Sequence, residues 1–199
     1  MQRDGSRPSE QEIEEQGQCM VRRQRNFRLA ADVVTAAFAQ LPEVERVMLF
    51  GSVAVPLERE VPRFRKYRRH RIAFLHQCKD VDLAVWMSDL AQLQNLRQAR
   101  SRALIELYQK QQVGVAHHQV EVFIMDPETD RYLGRLCAFT RCPKDKLDCL
   151  VPGCGDTPHL KQQKGFVLTD DALADDRTIT LFDRQGGAPL QEDNHVRLP

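Results

Sequence analysis

The chain has 199 residues, of which 42% are hydrophobic and 29% are charged, and its formal net charge is +1. This composition is typical of one globular domain with appendages, and it is sufficient for a substantial core. The small net charge excludes a protein that attracts nucleic acid or an anionic membrane through its overall field.

No apolar run approaches the roughly 20 residues that a membrane span needs, and the N-terminal residues are polar and acidic, unlike a secretory signal. We therefore predict a cytoplasmic protein that has no membrane partner. In a reducing compartment, the six cysteines are expected to be thiols or metal ligands rather than disulfides.

Residues 1–20 are predicted to be a flexible N-terminal segment or the start of the first helix. Ser9 followed three residues later by Glu12 is the pattern of a capping box. From Val21 the apolar residues recur at helical spacing, and Pro42 ends the pattern. The sequence therefore predicts an amphipathic first helix.

Three segments have the pattern of buried strands. They are Val44 to Phe50, which ends at Gly51 and Ser52, Val81 to Trp86, and Gln119 to Met125. Ser88 is a predicted N-cap for a helix that runs to about Gln112 between the second and third strands. This order predicts an α/β (α+β) fold, with a mixed sheet flanked by helices.

Asp80 and Asp82 lie at alternate positions at the start of the second strand, so their side chains project to the same side. Two neighbouring carboxylates raise each other's pKa, and a hard cation such as Mg²⁺ relieves their repulsion. Alone this pattern is a weak sign of a divalent-metal site.

Two other features supply what phosphoryl transfer from a nucleoside triphosphate requires. Gly51 and Ser52 offer close backbone approach and a hydroxyl for phosphate oxygens, and Glu121 supplies a third carboxylate on a later strand. Carboxylates of this kind hold the two ions of a two-metal mechanism. The other interpretations are an ordinary turn at Gly51 and Ser52 and a solvent-facing residue on an edge strand at Glu121, for which Glu106 and Asp126 are weaker substitutes as the third carboxylate.

Together, Leu49-Phe50-Gly51-Ser52, Asp80-Val81-Asp82-Leu83 and Val120-Glu121-Val122 resemble the nucleotidyltransferase superfamily related to polymerase beta. The resemblance covers roughly residues 21–126, within a predicted domain at 21–135. It implies transfer of a nucleoside monophosphate, AMP by family analogy, from a triphosphate to a hydroxyl acceptor on a small molecule, protein or RNA.

Each motif residue takes a role from the same resemblance. Gly51 and Ser52 would hold the triphosphate, and Asp80 and Asp82 would bind two Mg²⁺ ions, with Mn²⁺ as a substitute. Glu121 would ligate the catalytic ion and help deprotonate the acceptor.

The chain departs from the family pattern in the interval before the Asp pair. Family members usually have about ten residues there, whereas 27 residues separate Ser52 from Asp80. Residues 56–77 are interpreted as a basic insertion, because an insertion in a surface loop adds little loop-closure free energy.

Within this insertion, residues 58–71 contain seven Arg or Lys against two Glu, interleaved with Phe64 and Tyr67. Residues 59–71 are predicted to contact nucleic acid or a protein partner, or to bind the triphosphate; a solvated loop is the alternative.

Residues 136–164 form a Cys-rich segment in which Cys137, Cys142, Cys149 and Cys154 are candidate ligands of a structural Zn²⁺. His159 is a substitute ligand, and thiols or redox pairing are the alternatives. Residues 165–199 are predicted to form a terminal hairpin, or two short strands at Phe166 to Leu168 and Thr178 to Phe182, followed by a loose tail.

A second function class stays open. The chain also fits a non-catalytic nucleotidyltransferase-like protein, antitoxin-like or nucleic-acid binding, that uses its basic segment and zinc module. Three clustered carboxylates favour the enzyme, because their repulsion is a cost that pure binding does not need.

Overall fold

The structure is a computed structural model that describes residues 7–62, 64–138, 156–162 and 165–186. In chain order the helices and strands are α1 (Glu10–Phe38), β1 (Val44–Phe50), β2 (Arg59–Glu60), α2 (Arg65–Arg69), β3 (Phe74–Leu75), β4 (Val81–Met87), α3 (Leu93–Gln111), β5 (Val120–Met125), β6 (Tyr132–Leu136), β7 (Leu160–Lys161) and β8 (Ile179–Asp183). Within these ranges, no helix is both long and apolar enough to cross a membrane.

The first helix begins where the sequence predicts. The Ser9 hydroxyl accepts from the Glu12 N–H, and the Glu12 carboxylate accepts from the Ser9 N–H, which completes the capping box. The helix starts at Glu10 and therefore includes half of the segment that was predicted to be flexible or helical.

The main sheet has six strands in the order β7-β6-β5-β4-β1-β8. β4 and β5 are parallel, and every other neighbouring pair is antiparallel. The predicted mixed sheet with helices is thus confirmed as a fold class. β2 and β3 form a separate two-stranded sheet within the basic insertion.

The two faces of the sheet have different roles. One face packs on α1 and α3, through buried residues that include Phe27, Val34, Leu83, Leu96 and Val122. The opposite face carries a second, aromatic cluster built on Phe50, Ala84, Trp86, Phe123 and Met125. Because side chains alternate along a strand, Asp82 and Glu121 lie on this second face.

Ser88 does not cap α3, so that prediction is wrong. Its N–H and hydroxyl both donate to the Glu43 carbonyl, which continues the pairing of β1 with β4 by one residue. Asp89 instead accepts from the Ala91 N–H at the start of a short 3₁₀ turn, Leu90–Gln92, that leads into α3.

The predicted C-terminal hairpin is also wrong. Of the two predicted strands, Phe166 to Leu168 form none, whereas Thr178 to Phe182 is confirmed as β8, which pairs with β1 at the far side of the sheet. Phe166 and Leu168 instead pack on the aromatic cluster, whereas Ile179 and Leu181 pack on the helix-side core. The predicted boundary at residue 135 falls inside β6, and β7 and β8 belong to the same sheet as β1.

Candidate functional site

Three strands bring the predicted nucleotide-binding turn and two carboxylates to one end of the sheet. Asp82 on β4 lies directly beside Glu121 on β5 in parallel register, and Phe50 at the end of β1 pairs with Asp82 from the other side. Asp80 precedes β4 by one residue. The structure thus places Asp82 between Glu121 and the turn that begins at Gly51.

Gly51 has a conformation and a neighbour that require glycine. Its φ is +73°, in the left-handed region that residues with a Cβ rarely adopt. A Cβ at this position would lie 2.6 Å from Oδ2 of Asp82, closer than any ordinary contact. The absence of a side chain therefore lets the Asp82 carboxylate lie against the backbone of the turn.

Two side chains of α1 hold the turn from the other side. Gln24 Nε2 donates to the Ser52 carbonyl at 3.2 Å and to the Val55 carbonyl at 2.7 Å. Arg28 donates to the carbonyls of Val53 and Ala54 at 3.0 and 3.1 Å. Four successive carbonyls are thus bound by one helix. Nothing in the sequence pattern indicated this role for Gln24 or Arg28.

The charge environment of Asp82 is unfavourable for a carboxylate. Its pKa is raised to about 7, first by burial and then by the negative charges of Asp80 and Glu121, while Arg135 acts in the opposite direction. These are the conditions in which a divalent cation is the natural counter-charge. Carboxylate oxygens are also the ligand type that Mg²⁺ prefers.

Arg135 also lies at this site, and no pattern in the sequence indicated it. It lies on β6 opposite Phe123, and its Nη1 donates to Oε2 of Glu121 at 2.5 Å. Its guanidinium carbon lies 4.6 Å from the ring centre of Phe123 and 4.5 Å from that of Phe166. The two ring centres are 6.1 Å apart, so the guanidinium lies against two adjacent rings and against the predicted third carboxylate.

The ion pair bears directly on the metal prediction. Across the described part of the chain, no three His, Cys, Asp or Glu side chains are arranged to hold a metal ion. The donor types of Asp80, Asp82 and Glu121 suit Mg²⁺, but Oε2 of Glu121 is engaged by Arg135. A site of three carboxylates would therefore require Glu121 to change partner.

Only part of the predicted zinc site falls within the described residues. Cys137 is buried at the end of β6, and its N–H donates to the carbonyl of the buried His159 at 2.7 Å. Cys142, Cys149 and Cys154 lie outside the described residues. The zinc site stays a prediction.

The basic insertion contains a short helix, α2, that contacts α1 and the β3 strand of the insertion. Lys66 of α2 pairs with Glu12 of α1 at 2.9 Å, and the Tyr67 and Phe74 rings meet edge to face at 4.8 Å. Phe64, Arg65, Arg68 and Arg69, in and directly before α2, are exposed. The three arginines follow an i, i+3, i+4 spacing and so share one helix face.

Comparisons with protein-family models, with curated proteins and with solved structures find no match to this chain.

Proposed function

We propose that this protein is a Mg²⁺-dependent nucleotidyltransferase that moves a nucleoside monophosphate, AMP by family analogy, from a triphosphate to a hydroxyl acceptor. The observation that carries the proposal is the placement of the Asp82 carboxylate, which lies beside Glu121 and over the glycine of the turn. The mixed sheet, with helices on the opposite face, is compatible with the nucleotidyltransferase-like fold that the motifs suggest.

The roles of the residues follow from their positions. Gly51 and Ser52 would bind the triphosphate, and Asp80, Asp82 and Glu121 would hold the metal ions. When bound, Mg²⁺ supplies charge stabilisation at the reacting phosphate and at the leaving pyrophosphate. The Glu121 carboxylate would also accept the proton of the acceptor hydroxyl. Because the pKa of Asp82 is about 7, metal binding near neutral pH would release a proton from this residue.

Label transfer from nucleoside triphosphates carrying ³²P at the α-phosphate tests this activity. The protein is incubated with each triphosphate, Mg²⁺ and cell extract, and the labelled product is isolated. Asp82→Asn is expected to reduce labelling by roughly 100-fold or more, because a metal ligand acts on the transition state directly. Glu106→Gln, on the exposed surface of α3, is the matched control and should label normally. Equal labelling by both variants would contradict the assignment.

A second candidate is a non-catalytic protein that binds a polyanion through α2. The ion pair of Glu121 with Arg135 favours this candidate, because it neutralises one of the three carboxylates without a metal ion. The arginines of α2 favour it as well: three like charges on one helix face destabilise a short helix unless an anion lies against them.

Polyanion binding separates a functional basic surface from a solvated one. Replacing Arg68 and Arg69 with Gln is expected to weaken binding to single-stranded poly(U) and to reduce the salt slope by about 1 to 2, since each lost phosphate contact contributes about 0.7. The control replaces Arg102 and Lys110 on α3, which removes the same charge from another exposed surface. Fluorescence titration at several salt concentrations measures both slopes, and equal slopes would leave α2 without a specific role.

A further inference from the structure

Arg135 has donor capacity that its contacts in the structure do not use. A guanidinium carries five N–H donors in a planar fork. Nη1 donates to Glu121, while Nε is buried and has no hydrogen-bond partner among the described residues. An unpartnered buried donor is costly, and its presence beside a cluster of carboxylates calls for an explanation.

The electrostatics of the site indicate when Arg135 would change partner. Its positive charge opposes binding of a divalent cation at Asp82 and Glu121, since both positive charges would lie against the same carboxylates. A triphosphate brings negative charge to the same place. A metal–triphosphate complex could thus take Glu121 as a metal ligand and offer Arg135 a phosphate oxygen in return.

We propose that Arg135 is a phosphate-binding residue that exchanges Glu121 for the triphosphate of the metal–nucleotide complex. The inference rests on the proposed function and adds a residue to its binding site. Guanidinium is suited to this ligand, because its fork matches the oxygens of phosphate as well as those of carboxylate. In the free protein, the same charge lowers the repulsion among Asp80, Asp82 and Glu121.

The aromatic residues around Arg135 support an exchange of this kind. Phe123 and Phe166 lie on the guanidinium at nearly equal distances, and Phe50 packs edge to face on Phe123 with ring centres 5.0 Å apart. The two ring centres are 6.1 Å apart, so the rings contact the guanidinium from adjacent directions and together restrict its position. Little conformational entropy would then be lost when the phosphate binds.

The chain contains a matched control for this arginine. Arg46 on β1 lies 3.7 Å from the ring centre of Trp86 and pairs with Asp130 at 2.6 Å, so it also combines an aromatic stack with an ion pair. Trp86 is four residues along β4 from Asp82, roughly 13 Å away at the rise of a strand. Arg46→Gln therefore makes the same chemical change in the same sheet, far from the carboxylates.

Calorimetric titration with two probes tests the exchange. The first probe is Mn²⁺ alone, and the second is the Mg²⁺ complex of α,β-methylene ATP, which cannot transfer its nucleotide. Arg135→Gln is expected to bind Mn²⁺ about tenfold more tightly, because a repelling charge is removed. It should bind the nucleotide complex about tenfold more weakly, because a charge-assisted hydrogen bond is lost. Arg46→Gln should change neither affinity.

In Arg135→Gln, the affinity for Mn²⁺ should rise and the affinity for the nucleotide complex should fall. These opposite changes distinguish phosphate binding from a merely structural role. If Arg135 only orients Glu121, both affinities fall together, and the inference is overturned. Unchanged affinities in Arg135→Gln overturn it as well. Arg135→Lys, which keeps the charge, should bind Mn²⁺ as the wild type does. The melting temperatures of Arg135→Lys and Arg135→Gln show whether both variants are folded. If the wild type binds neither probe, the proposed function fails together with this inference.

Discussion

Replacing Asp82 with Asn is expected to stabilise the metal-free protein above about pH 7 and to change its stability little near pH 4. The reason is the raised pKa of Asp82, about 7 in the folded protein against a usual value of 3.8. Urea unfolding of both proteins at pH 4 and pH 8, in the presence of a chelator, measures the effect. The stability difference should change in favour of the variant by roughly 2 to 4 kcal/mol between these pH values.

The sign follows from which state holds the proton. Well below pH 3.8 the Asp82 carboxyl is protonated in both states and contributes no difference, and at pH 4 the difference is still small. Between pH 4 and pH 7, the unfolded chain ionises first, so the folded state loses stability as the pH rises. Above pH 7 the carboxylate is charged in both states, and the full cost of burying it remains. Asn has no charge and avoids this cost.

Two further measurements test whether the Asp82 carboxylate causes this pH dependence of stability. Asp80→Asn removes the charge that raises the pKa of Asp82 more than Glu121 does, so the loss of stability with rising pH should be smaller in this variant and should end at a lower pH. At pH 8, Mg²⁺ with a nucleoside triphosphate should restore stability to the wild type but not to Asp82→Asn. Parallel pH profiles for the wild type and Asp82→Asn would show that Asp82 is not buried as the structure places it.

Replacing Gly51 with Ala is expected to destabilise the protein by roughly 2 to 4 kcal/mol. The positive φ alone costs a non-glycine residue about 1 to 3 kcal/mol. The new Cβ would also meet Oδ2 of Asp82 at 2.6 Å, so the carboxylate or the turn must move. Urea unfolding near pH 7 measures the loss.

Gly17 provides the matched control. It lies inside α1, two turns from the helix start, with open space where a Cβ would be, so Gly17→Ala is expected to stabilise the protein by about 1 kcal/mol. In an Asp82→Ala background, the loss caused by Gly51→Ala should shrink, since one partner of the clash is gone. If the loss stays the same, the strain comes from the backbone alone.

The local pattern of apolar residues was sufficient to predict much of this arrangement. The bounds of β1 agree with the predicted strand, and Val81 and Leu83 turn to the helices while Asp82 turns away. The capping box at Ser9 is a local interaction and is therefore visible in the sequence. Predictions of this kind depend only on neighbours within a few residues.

Arg135 was not predictable by the same means. Its contact with Glu121 depends on the antiparallel pairing of β5 and β6, which contains a register shift at Ile124 and Met125. A shift of one residue turns a side chain to the other face of a sheet, so the sequence alone does not place Arg135. The hydrogen bonds from Gln24 to the turn likewise join residues 28 and 31 positions apart.

The prediction of a terminal hairpin was wrong for a related reason. A hairpin is the shortest pairing that two neighbouring strand patterns can form, and the sequence gives no sign of a distant alternative. Ile179 to Asp183 instead pair with β1, and Arg184 donates to the carbonyls of Val44 and Leu41. The long-range pairing of β8 with β1 is formed instead of the local hairpin.

The position of β8 has a consequence for aggregation. Without it, β1 would be an edge strand whose unpaired backbone groups flank the apolar residues Val47 to Phe50, and such an edge is a template for pairing between molecules. A chain shortened to the segment that carries the motifs would keep Gly51, Asp80, Asp82 and Glu121 but expose that edge. The last strand of the sheet therefore covers this edge, and the motif-bearing segment depends on residues about sixty positions beyond Glu121 for the pairing of β1.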